Sequence, residues 1–138
     1  MSGFLISASG LTAQRTRMNV IAENLANAST THPTPYRRKI VLFEERLAEA
    51  MDSSQSRSGA GGVRVKSIVE DNGRNAFRYL YDPDHPDANS EGYVVMPNIN
   101  PVHEMVNLID AVRAYEANVT AMNATKEMMK RTLEIGRT

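Results

Sequence analysis

No cysteine and no tryptophan occur in the 138-residue chain, and aromatic residues make up only 6% of it. The first absence excludes a disulfide framework, a thiolate nucleophile and a cysteine-based zinc site. The second removes the large rigid side chains that fill most small cores. Charge of one sign is also missing: sixteen basic residues cancel sixteen acidic ones, so the chain has neither the positive field of a general nucleic-acid binder nor that of a polybasic membrane binder. No run approaches the ~20 apolar residues that a membrane span requires. The first residues, MSGFLISASG, place no basic residue ahead of a short apolar patch that Ser and Gly soon interrupt. A Sec signal is therefore not expected, and departure from the cytoplasm would use a route that reads no cleaved signal.

Catalytic patterns are equally scarce. His32, His85 and His103 form no HxxxH or HExxH pair, and no GxSxG, GxGxxG or Walker loop occurs. The one oxygen-rich stretch, YDPDHPDANSE, offers Asp82, Asp84, His85, Asp87, Asn89 and Glu91. A calcium loop would need an oxygen ligand at its fifth position and glycine at its sixth, where Pro86 and Asp87 stand. The stretch reads as a proline-stiffened acidic turn. No catalytic residue, cofactor or metal site is expected.

What is present is periodicity. Phe4, Leu11, Met18 and Leu25 recur one heptad apart, which predicts a helix from Gly3 to about Ala28. Met105, Leu108, Val112, Tyr115, Val119, Met122, Met129 and Leu133 predict a second, roughly 35 residues or about 50 Å long. Asn100-Pro101 marks its start and Gly136 its end. Beside its large apolar stripe runs a line of mostly small residues, Ala111, Ala114, Asn118, Ala121 and Thr125. Small residues admit a closely packed helix, so the large stripe is expected to meet the first helix and the small one a neighbouring subunit. Between the helices, Arg37–Phe43, Val63–Val69, Phe77–Tyr81 and Gly92–Met96 predict short strands. Glu44–Met51 could form a short helix, and Ser53–Gly62 has the composition of a flexible loop. The expected fold is mainly α, with long terminal helices packed as a coiled-coil-like pair around a small β-rich insertion. Its helical part comprises residues 1–31 and 97–138, and its hinge and outer part residues 32–96. Arg37, Arg38 and Lys39, directly after the hinge HPTP, read either as a grip on an acidic partner or as a solvated edge.

The run NVIAENLANASTTHPTPYRRK resembles the N-terminal signature of the bacterial flagellar rod and hook (axial) protein family. From the YDPDHPDA turn through GYVVMPN to RAYEANV, the second half resembles a proximal-rod subunit within it. The resemblance implies a non-enzymatic building block of the basal-body rod, assembling helically into the drive shaft and export channel across the periplasm. Its implied partners are copies of itself, other proximal rod proteins, the MS-ring adaptor and the distal rod protein, with the flagellar type III apparatus as exporter; no nucleic acid is expected as a partner, and the chain is not expected to span a membrane. Asn24, Asn27, Thr30, Thr31, Tyr36 and Arg37 carry the shared signature. With Leu11, Met18, Leu25, Val112, Ala114, Tyr115, Asn118, Val119, Ala121, Met122 and Met129 they are the expected subunit-interface positions. A soluble coiled-coil adaptor or export chaperone is the alternative, although it would have no need of the strands.

Overall fold

The computed structural model describes residues 2–46 and 61–136. Two long helices, α1 (Ser2–Ala26) and α2 (Pro101–Ile135), pack side by side and bracket two separate antiparallel hairpins. Strands β1 (Lys39–Glu45) and β2 (Val63–Glu70) form one, and β3 (Phe77–Tyr81) and β4 (Tyr93–Pro97) the other. This is the mainly α fold with a β insertion that periodicity predicts. The strand at Glu44–Glu45 replaces the start of the short helix expected at Glu44–Met51, since β1 pairs with β2 through Glu45↔Val63. The rest of that segment, and most of the 53–62 loop, lie outside the described residues.

Local chemistry explains the boundaries. The Asn100 Oδ1 accepts hydrogen bonds from the Val102 and His103 amides at 3.0 and 3.4 Å, and Pro101 opens α2 with no amide to orphan. Gly136 ends it. In the first hairpin the pairing steps from Leu42↔Ser67 to Phe43↔Val65, leaving Lys66 as the extra residue of a bulge. In the second, the acidic turn closes through its own groups: Asn89 Oδ1 accepts from the Glu91 and Tyr93 amides, and His85 Nδ1 from the Asp87 amide. Gly92 sits at φ 80°, where a side chain would be strained and its Cβ would meet the Tyr81 ring at 3.0 Å.

The helix seam differs from expectation. Gly3 lies against Thr125, Gly10 against Asn118 and Asn24 against Glu104, so seven residues forward along α1 meet seven residues back along α2. The helices are antiparallel, and the line facing inward is the small and polar one. Ala111 has no exposed surface, whereas Val112 is 38% exposed. The small residues thus do admit a close helix, but it is the chain's own α1. A Cβ on Gly10 would lie 3.0 Å from the Asn118 side chain, so bulk on this line would hold the helices apart. Tyr115, Val119, Met122 and Met129 flank the seam half-buried, as do Leu11, Met18 and Leu25 from α1, while Ala121 is exposed. Polar members of the line satisfy themselves on their own helix: Asn118 Nδ2 donates to the Ala114 carbonyl and Thr125 Oγ1 to that of Ala121, each at 2.9 Å.

Gly10→Leu is expected to destabilise the subunit by about 1–2 kcal/mol, because overpacking outweighs the roughly 0.8 kcal/mol gained in helix propensity. Adding Asn118→Ala should recover part of the loss. Ala121→Leu, on the open side, should stay within about 0.5 kcal/mol of the wild type. Urea unfolding followed by helical circular dichroism reads all three.

Candidate functional site

Where α1 ends, the chain turns through His32–Pro35 and returns as β1 beside the start of α2. The signature residues build this corner. Asn27 Nδ2 donates to the Glu23 carbonyl at 2.9 Å, and Thr30 Oγ1 donates to Asn27 Oδ1 at 3.1 Å, extending the helix terminus by one hydrogen-bonded turn. Thr31 Oγ1 donates to Asp87 Oδ2 at 2.7 Å, and His32 Nδ1 stands 3.5 Å from Asp87 Oδ1, fastening the hinge to the acidic turn of the second hairpin. The His32–Pro33 peptide bond is cis.

The centre of the corner is Asn24, which is 1% exposed. Its Oδ1 accepts from the Lys39 amide at 2.8 Å while its Nδ2 donates to the Lys39 carbonyl at 2.9 Å, so the side-chain amide pairs with the main chain as a neighbouring strand would. Tyr36 OH donates to the same Oδ1 at 3.1 Å, and Nδ2 also reaches Glu104 Oε2 at 3.2 Å. Glu104 is 2% exposed. Its Oε1 takes two bonds from Arg38, at 2.9 Å from Nε and 2.7 Å from Nη2. A carboxylate withdrawn from water is tolerable only when so compensated. The Arg37–Lys39 run is accordingly neither a solvated edge nor a free grip. Arg38 holds Glu104, Lys39 Nζ pairs with Glu23 at 3.0 Å, and Arg37 donates to Asn72 at 2.7 Å with its guanidinium 4.8 Å from the centre of the Phe77 ring.

Sequence reasoning identifies Asn24, Asn27, Thr30, Thr31, Tyr36 and Arg37, and the corner engages all six. It misses Glu104 and Gly10, and it singles out Arg38 without finding the acid that Arg38 holds. The available signal is the heptad Glu104, Ala111, Asn118, Thr125, in which one acidic residue falls on the line of small and polar ones.

Protonation follows from this packing. Burial, partly offset by the Lys39 charge, raises the Tyr36 phenol above its ordinary 10.0. The hydrogen bond to Glu23 is the main cause raising Lys39 above 10.5. Among the described residues no three His, Asp or Glu side chains converge to hold a metal ion, and no helix is long and apolar enough to cross a membrane.

The polar corner thus joins the two terminal helices to the β insertion through side-chain hydrogen bonds. Residues 4–34 match the family described as flagella basal body rod protein, and residues 90–135 the C-terminal family of flagellar basal body rod FlgEFG proteins. The chain is 49% identical to the flagellar basal-body rod protein FlgC of Bacillus subtilis, over 96% of this chain and 95% of the relative. It is 46% identical to that of Aquifex aeolicus, over 94% and 91%, and 43% identical to that of Escherichia coli O6:H1, over 96% and 95%. The chain belongs to the FlgC family of flagellar basal-body rod proteins, and as a member it is a structural protein, not an enzyme.

Two outcomes are expected at the corner. Arg38→Ala strands a buried carboxylate and should cost about 3–5 kcal/mol, whereas Glu104→Gln keeps an acceptor for Arg38 and Asn24 and should cost roughly 1–2 kcal/mol. Chemical denaturation of each variant measures the difference. Tyr36 and Lys39 both hold their protons more tightly folded than unfolded, so their contribution is full below about pH 10 and is lost as pH rises through the raised values. Melting temperature should therefore fall above about pH 10, with a shallower slope in Tyr36→Phe.

Proposed function

We propose that this chain is a proximal-rod subunit whose helix pair, residues 1–31 and 97–138, forms an inner layer around the export channel, while residues 32–96 form an outer layer. The carrying observation is the outward side of α2. A helix that packs on one neighbour is normally polar on its far side. Here Val102, Met105, Val106 and Ile109 are each at least half exposed on the face turned away from α1. Spacing of three, one and three residues gathers them into one continuous strip. Phe4, Leu5 and Ile6 add a second uncovered patch at the start of α1. Exposed apolar area of this extent marks an interaction surface, and a surface unlike its own complement builds open helical arrays rather than closed dimers.

Among the expected interface positions, Val112 belongs to this outward face; Ala121, half a turn around α2 from Val112, is also exposed. Leu11, Met18, Leu25, Tyr115, Val119, Met122 and Met129 would be shared between the seam and a neighbour through their exposed halves. Ala114 and Asn118 act first within the pair. Asn24, Asn27, Thr30, Thr31, Tyr36 and Arg37 would act indirectly, by fixing the angle at which the outer layer leaves the inner one. The proposed neighbours are copies of the chain and the adjoining rod proteins, including the MS-ring adaptor and the distal rod protein, met after export through the type III apparatus.

Ile109→Asp tests this reading. The site is solvated in the lone subunit, so stability should change by no more than about 0.5 kcal/mol, and export should continue. Burial of the carboxylate in an assembly would cost several kcal/mol, so rods should fail to form and motility should be lost. Normal rods carrying the variant, seen in isolated basal bodies, would remove the surface from the assembly.

A further inference from the structure

A groove of about 350 Å³ runs between the end of α1, the first residues of β1 and the start of α2. Its α1 wall presents Arg17, Val20 and Ile21, and its β1 wall Val41 and Phe43. The cations at the corner end are engaged, Arg38 by Glu104 and Lys39 by Glu23. Arg17 differs. It is half-buried at the other end of the groove's α1 wall and has no hydrogen-bond or ion-pair partner among the described residues. A partly desolvated guanidinium beside apolar walls fits an apolar segment that ends in a carboxylate.

The chain carries such a segment on its opposite side. Met105, Ile109, Val112 and Glu116 follow one another at steps of four, three and four along α2, and all four are exposed. The Glu116 carboxylate is likewise without a partner among the described residues. Glu116 lies about 150° around α2 from the seam residues, at 100° per residue, so it cannot reach the groove of its own chain. Both complements are therefore present on one molecule, on different faces.

We infer that the Arg17 groove of one copy receives the Met105–Glu116 strip of a second copy, with Arg17 paired to the second copy's Glu116. The inference rests on the rod-subunit reading and names the surfaces of one contact within it. Because groove and strip differ, the contact is heterologous and leaves a free groove at one end and a free strip at the other. It propagates along a row of identical subunits. A unit of stated polarity results.

Charge reversal in cells lacking the wild-type chain tests it. Arg17→Glu and Glu116→Arg should each lower incorporation into basal bodies by about thirtyfold or more, as the breaking of a desolvated charge pair does. Combining them should restore incorporation to within about twofold, which a general folding defect in either single variant would not allow. Absence of cysteine from the chain permits a direct second reading: Arg17→Cys with Glu116→Cys should give dimers of this chain with a short bis-maleimide in assembled rods, and neither single variant should. Reversals without effect, no restoration in the double variant, or cross-links only to a protein of different mass would each overturn the pairing. Ile109→Asp separates the two levels: if it abolishes rods while the reversals change nothing, only this pairing fails, and if it also assembles normally, the rod-face reading fails with it.

Discussion

Removal of the Glu104 carboxylate from water is the constraint around which the corner is arranged. An uncompensated charge at that depth would cost several kcal/mol, so the chain must return an arginine to it after the hinge. That requirement places β1. Arg38 reaches Glu104 only when the strand begins beside the end of α1, and Asn24 secures that placement by pairing with both main-chain groups of Lys39. The start of α2, the end of α1 and the first residue of the insertion are thereby located by three side chains. Distances elsewhere in the molecule follow from this anchor and the heptad register that extends from it through Gly10 to Gly3.

The seam works by a different logic. A coiled coil usually gains its stability from large apolar side chains at the inward positions. Here the inward line carries Gly3, Gly10, Arg17 and Asn24 from α1 against Thr125, Asn118, Ala111 and Glu104 from α2, none of them a large apolar residue. Among the described residues of the two helices, the buried apolar side chains are Ala13, Val20, Ile21 and Ala111. Much of the pair's apolar surface, Val102 to Val112 above all, stays uncovered in the single subunit. Stability withheld from the monomer in this way is available to contacts between subunits.

Much of this was legible in the sequence because it depends on local chemistry. Asn100, Pro101 and Gly136 bound α2, and β3 occupies Phe77–Tyr81 as its alternation and aromatic content predict. The inward face of α2 was not legible. Both of its stripes have helical spacing, and the choice between them depends on Gly10 and Gly3, which look like helix weakeners until the register with Asn118 and Thr125 is known. Arg38 and Glu104 escaped for a related reason: 66 residues separate them, and no local pattern connects a basic run after a hinge to one acid in a later helix. The Asn24 signature was readable as a motif, but its partner is backbone, which any residue could supply.

The way Asn24 holds Lys39 also bears on what the first hairpin can recruit. Lys39 faces Asn24 with both its amide and its carbonyl, and those groups lie on the margin of β1 that β2 leaves open. A strand margin with unsatisfied amides and carbonyls is a template for cross-β growth. By placing a side-chain amide on that margin, the corner closes its first rung to any passing chain. Two copies of the chain thus have one fewer rung through which to pair edge to edge.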